Sequence, residues 1–160
     1  MAQSPSTTPP RILVTGSVGQ IGSELTPALR QRYGAQNVVA AGHKTSPSPA
    51  LRDSGPFEIV DCAQKQSLEA VVDKYSIDTI YHLAAILSAA GEKNPQLAWD
   101  VNINGLYNVL EVARERKLAR VFCPSSIAAF GPETPQDNTP QETVLRPKTM
   151  YGVTKVAGEL

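Results

Sequence analysis

Short apolar runs alternate along this chain with stretches whose apolar residues recur every three or four positions. That pattern predicts strand–helix–strand units feeding a parallel sheet. Arg11-Ile-Leu-Val14 reads as a short strand of the buried kind, and Asn37–Ala41, Phe57–Val60, Thr79–Leu83 and Arg120–Cys123 read as four more. Over Gln20–Tyr33 the residues Ile21, Leu25, Ala28 and Leu29 fall at helical spacing, with Gly34 placed to end the helix. Leu68, Val71 and Val72 mark one face of a helix over Ser67–Tyr75. Asn94–Lys117 carries the longest helical pattern, with Pro95 tolerated in its first turn. Gly42–Pro49 is rich in serine and proline and reads as a loop, as does the proline-rich stretch Gly131–Lys148. A last helix starts near Tyr151, and no internal repeat is present.

Composition narrows the function classes. A chain of 160 residues suits one domain with a real core, assigned to residues 11–160. Its 15 basic and 15 acidic residues cancel, and no basic stripe points to nucleic acid or a lipid surface. No apolar stretch approaches the roughly 20 residues that span a bilayer. The leader, residues 1–10, is polar with no apolar core, so it reads as a disordered tail and not a signal peptide. Cys62 and Cys123 each lie in or beside an apolar run and read as reduced thiols. The expectation is a soluble cytoplasmic protein.

Two motifs carry chemistry. The first strand runs directly into Gly16-Ser-Val-Gly19-Gln-Ile-Gly22 and then a helix. In that context Gly16 permits a tight turn, Gly19 lets backbone amides approach a pyrophosphate, and Gly22 lets helix and strand pack closely. The helix N-terminus adds partial positive charge beneath the phosphates. A dinucleotide site ordinarily places an acid at the end of the second strand for the adenosine ribose hydroxyls. Here that position is Gly42, followed by His43 and Lys44. Three readings stay open: the ribose is held less specifically, His43 and Lys44 favour a 2′-phosphate and so admit NADP, or both side chains face water. Asp61 either bonds the adenine amino group or starts a helix.

The second motif is Tyr151-Gly-Val-Thr-Lys155, a tyrosine and a lysine four apart on one helix face. A free tyrosine has a pKa near 10, too high for a base at neutral pH, and an adjacent cation favours its phenolate. Ser125-Ser126 ends the fifth strand at the carboxyl edge of the sheet, where open α/β sheets bind ligands. A hydroxyl there can polarise the substrate oxygen whose proton Tyr151 moves.

The glycine loop, Ser126 and Tyr151-x-x-x-Lys155 together resemble the extended short-chain dehydrogenases/reductases, the group that includes sugar-nucleotide epimerases. Ser54-Gly-Pro-Phe-Glu58, His82-Leu-Ala-Ala-Ile-Leu-Ser-Ala89, Glu92-Lys-Asn-Pro95, Ala98-Trp99, Ser125-Ser-Ile-Ala128 and Phe130-Gly-Pro132 narrow the likeness to the epimerase-like L-threonine 3-dehydrogenases. The resemblance implies a Rossmann-type doubly wound parallel sheet of order 3-2-1-4-5. It further implies NAD as cofactor, a small amino acid as substrate and a homodimer formed through the long helix. Family members run to about twice this length, so the last strands and the substrate lobe are expected to be missing. Carried over by position, Gly16, Gly19, Gln20 and Ile21 hold the pyrophosphate, Asp61 and Cys62 flank the adenine, and Leu83, Ala84 and Ala85 line the adenosine side. Asn102 supports the site, Ser88 contacts the substrate, Ser126 its hydroxyl, Tyr151 is the base and Lys155 bonds the nicotinamide ribose. Gly42 departs from the family pattern. Ser88 and Ser126 otherwise read as turn caps and Asn102 as a solvent-facing helix residue. His82 reads as a satisfied core histidine and Trp99 as core. No cluster has metal-ligand spacing, so no metal is expected.

Overall fold

Strand β1 (Ile12–Thr15) is buried along its whole length, as a strand covered on both faces by helices must be. The computed structural model describes residues 8–160, so most of the expected tail at 1–10 lies outside the described residues. Around β1 stand β2 (Val38–Gly42), β3 (Phe57–Ile59), β4 (Thr79–His82) and β5 (Arg120–Phe122), all parallel in the order β3-β2-β1-β4-β5. This is the expected doubly wound order.

Alternate residues of the strands feed two cores. Leu13, Val39 and Ile80 pack with Leu68, Val71 and Val72 of α3 (Lys65–Tyr75) and with Val109 and Val112 of α6 (Gly105–Glu115). Ile12, Val14 and Val38 face the other way, onto Leu29 of α1 (Gln20–Tyr33). Gly34 ends α1 as expected, at φ +93° with its N–H donating to Arg30 O at 2.9 Å. The buried face of α1 differs from the one its apolar residues mark. Gly22, Thr26, Leu29 and Arg30 are inside, while Ile21 is 61% exposed and Ala28 faces water.

Arg30 explains a helix missed in the sequence, α2 (Pro49–Asp53), which follows directly on the serine- and proline-rich loop. Its guanidinium donates to Leu51 O, Ser54 Oγ and Pro56 O, each at 2.6 Å, and burial lowers its pKa. The helix is therefore held from outside as well as by its own N-cap, Ser48, whose Oγ accepts the Leu51 N–H at 3.2 Å, with Pro49 in its first turn. The expected 94–117 helix is likewise not uniform. It consists of α5 (Pro95–Trp99), a π-helical turn at Asp100–Asn104, and α6, preceded by a second unanticipated helix, α4 (Ser88–Lys93). The last helix, α7 (Met150–Glu159), packs against α4, α5 and the 3-10 turn Ile127–Ala129.

Candidate cofactor and catalytic site

Where β1 ends, Gly16 turns at φ +69°, and a Cβ there would lie 2.7 Å from both Ala84 N and Leu83 C. Only glycine lets the loop pass this close to the backbone beyond β4. A Cβ on Gly22 would fall 2.6 Å from Ser17 Cα, so this glycine sets the approach of α1 to the loop. Gly19 is the N-cap of α1, and no side chain caps the helix. The first-turn amides, those of Gln20 and Ile21 among them, have no acceptor four residues back within the helix. They leave a positive helix end open to an anion. The loop borders a cavity of about 560 Å³ lined also by Gly42, Asp61, Cys62, Leu83, Ala84 and Ala85.

At the far end of this cavity Gly42 is buried, and His43 Nε2 stands 3.8 Å from Asp61 Oδ2. Asp61 Oδ1 accepts the Ala63 N–H at 3.0 Å, a local turn, while the N-cap of α3 is Gln64. Burial pushes the Cys62 thiol up to about 12, so it is a neutral wall group and no nucleophile. Cys123 is exposed, and both thiols are free.

The tail of the chain reaches the same edge. Thr149 caps α7 by accepting the Gly152 N–H at 3.0 Å, and the Glu92 carboxylate of α4 accepts the Met150 N–H at 2.6 Å. Gly152 lies directly against Ala128 O, where a side chain would collide. These contacts hold Tyr151 and Lys155 on the first two turns of α7. Lys155 Nζ is 5.5 Å from the Tyr151 ring centroid and donates to Pro124 O at 2.7 Å. Ser126 Oγ accepts the Ala128 N–H at 3.2 Å, so it does cap the turn that follows it. The neighbouring Ser125 Oγ donates to the Glu159 carboxylate.

Lys155, Ser125, His82 and Asn102 line a crevice of about 40 Å³ that shares Ala84 and Ala85 with the large cavity. Glycine loop and lysine thus open on one side of the sheet. Asn102 is buried, contrary to its solvent-facing reading, because the π-helical turn rotates it inward. Its side chain accepts Ile86 N–H at 2.7 Å and donates to Ile86 O and Thr154 Oγ1, both at 3.0 Å. His82 is the core histidine expected, with Nδ1 2.8 Å from Thr15 Oγ1; burial first, then the charge of Lys155, lower its pKa to about 4. Trp99 is not core: it is 41% exposed. Ser88 is the first residue of α4 and not its cap. It lines a separate open depression of about 330 Å³ with Phe130, Lys148 and Thr149, and does not share the Lys155 crevice. Thr149, Glu92 and Thr154 were not anticipated, although a threonine two residues before Tyr151 is a readable cap signal.

The sequence profile described as the NAD dependent epimerase/dehydratase family matches residues 12–160. The chain belongs to that family. An uncharacterized epimerase/dehydratase of Staphylococcus saprophyticus is 52% identical over 150 residues, covering 94% of this chain and 47% of that protein. The structure of L-threonine dehydrogenase from Clostridium difficile is 51% identical with a TM-score of 0.90, over 94% of this chain and 47% of the other. The NAD complex of Thermus thermophilus UDP-glucose 4-epimerase is 29% identical with a TM-score of 0.81, over 93% of this chain and 48% of the other. The chain spans about half the length of the curated relatives it matches. NAD is the family's cofactor, and the glycine cradle fits it: the space that Cβ atoms would fill at Gly16 and Gly22 is closed, and the helix end behind it is uncapped. Among the described residues no group of three or more His, Cys, Asp or Glu side chains is placed to hold a metal, and no helix is long and apolar enough to cross a membrane.

Proposed function

We propose that this chain is the cofactor-binding and proton-transfer part of an L-threonine 3-dehydrogenase that oxidises C3 of L-threonine to give 2-amino-3-oxobutanoate. The observation that carries the reading is the gap between 51% identity to a threonine dehydrogenase and 29% to a UDP-glucose epimerase over nearly the same span. NAD supplies the hydride acceptor when bound. The chain's own residues do the rest. The open amides of Gln20 and Ile21 hold the pyrophosphate, and Asp61, Cys62, Leu83, Ala84 and Ala85 surround the adenosine. Tyr151 takes the proton of the substrate hydroxyl, Ser126 orients that hydroxyl, and Ser88 meets the amino acid. Lys155 keeps the phenol and the nicotinamide ribose in register, steadied through Asn102 and Thr154. Exposed Tyr107 and Leu110 on α6 support pairing of two copies through this helix.

The test uses the 160-residue chain alone and the same chain joined to the remaining half of the Clostridium difficile enzyme. Threonine-dependent NADH formation by the joined protein is the expected result, with negligible turnover by the chain alone. Epimerisation of a UDP-sugar instead makes the protein part of a sugar-nucleotide epimerase and overturns the dehydrogenase reading. Cofactor binding with neither activity leaves a nucleotide-binding module and sinks the dehydrogenase reading.

A further inference from the structure

The end of β2 departs from what an NAD-specific site requires. Such a site puts a carboxylate there to accept the adenosine 2′-hydroxyl, and a carboxylate at that position also repels a 2′-phosphate. Here the position is Gly42, and the structure has closed the space around it. A Cβ would lie 3.1 Å from Phe57 Cζ and 3.3 Å from Val18 Cγ1, so the glycine is packed in place and not an open gap awaiting a side chain. Beyond it His43, Lys44 and Thr45 line the cavity.

The carboxylates that line the same cavity are Asp61 and Asp100. Asp61 accepts Ala63 N–H at 3.0 Å, and its other oxygen stands 3.8 Å from His43 Nε2. Asp100 belongs to the π-helical turn and accepts from Gln96 and Asn104. Lys44, by contrast, makes no ion pair among the described residues. The β2 end therefore carries an ammonium with no ion pair among the described residues, a hydroxyl, and an imidazole beside Asp61, while the position that would hold the acid is Gly42.

We propose that this end of the cavity is a 2′-phosphate subsite, so that the chain binds NADP(H) as well as NAD(H), with Lys44 the principal partner of the phosphate and His43 its neighbour. The proposal rests on reading the cavity as a dinucleotide site and is independent of which substrate is oxidised. Lys44 and His43 are exposed, so the gain is moderate and screened by salt.

The experiment titrates NADH and NADPH, followed by nicotinamide fluorescence, and ADP-ribose and its 2′-phosphate, followed by calorimetry, into the 160-residue chain. NADPH is expected to bind within about fivefold of NADH and to weaken more steeply with salt. Lys44→Glu is expected to weaken NADPH about tenfold and to change NADH less than about twofold, the scale of a reversed exposed contact. Gly42→Asp is expected to favour NADH over NADPH. If crowding against Phe57 unfolds it, the exposed Lys44 variant still decides. NADPH binding some fiftyfold weaker than NADH, or equal weakening of both by Lys44→Glu, overturns the proposal while leaving the cofactor site intact. Failure of all four ligands to bind overturns the dinucleotide reading and the subsite with it.

Discussion

Val14 and Phe122 stand in one row across the sheet, linked through Tyr81, yet Val14 is wholly buried and Phe122 is 51% exposed. The head of the molecule, β1 with β2 and β4, is enclosed by α1, α3 and α6 and shapes its cradle from backbone alone. The tail, from β5 to α7, has an outer strand with one uncovered edge. Its long loop, 131–148, is irregular, and α7, which carries Tyr151 and Lys155, is held by a handful of polar contacts from α4, the π-helical turn and Thr149. The contrast separates binding from chemistry. The cofactor cradle is finished by the core, whereas Tyr151 and Lys155 depend on side-chain clamps around α7.

The sharpest way to divide the two regions is Tyr151→Phe in the joined protein. Turnover should fall on the order of 10²–10⁴-fold, the worth of positioned acid–base catalysis, while NADH affinity changes less than about twofold. Equal losses in both would mean that head and tail are not separable. Near-normal turnover would remove Tyr151 from its role.

Acid should attack the junction between them, where His82 sits. Its folded pKa of about 4 lies below the ordinary value of 6.5. Between those values the unfolded chain takes up a proton that the folded chain refuses. Stability from this group is thus complete above pH 6.5 and is lost as pH falls toward 4. The loss at pH 5 is about 2 kcal/mol, measurable by urea unfolding at pH 7 and pH 5. His82→Gln should flatten that slope, and an unchanged slope would refute the assignment.

Asn102→Ala removes three hydrogen bonds, two to Ile86 after β4 and one to Thr154 of α7. It should cost about 2 kcal/mol, a fall of roughly 4–8 °C in melting temperature. Hydrogen exchange should rise in α7 and stay unchanged in β1 and β2. Uniform loosening would contradict the division. The mildest probe is alkylation. Iodoacetamide should modify exposed Cys123 at least about tenfold faster than buried Cys62, although burial raises the thiol pKa of both. Equal rates would show the head open to solvent.

Much of the head was legible in the sequence because its signals are local. A buried strand is a continuous apolar run, a glycine cradle is three glycines at fixed spacing, and α1 begins and ends within the span its pattern marks. Even there the buried stripe of α1 turned out to include Thr26 and Arg30, since a buried arginine with four acceptors looks like any surface arginine until the acceptors are placed. In the tail, four-residue spacing was enough to put Tyr151 and Lys155 on one helix. It said nothing of Glu92 and Thr149, which anchor that helix, or of Trp99, which faces water.

Residue order by itself determined the strand sequence, the phosphate-cradling turn and the tyrosine–lysine pair, because each depends on residues within one or two turns of each other. Tertiary structure alone decided which way Asn102 points, that His82 is neutral against Thr15, that Gly42 is walled in by Phe57 and Val18, and that loop and lysine share Ala84 and Ala85. Those outcomes depend on groups tens of residues apart meeting at a few ångströms, and no local pattern encodes such a meeting.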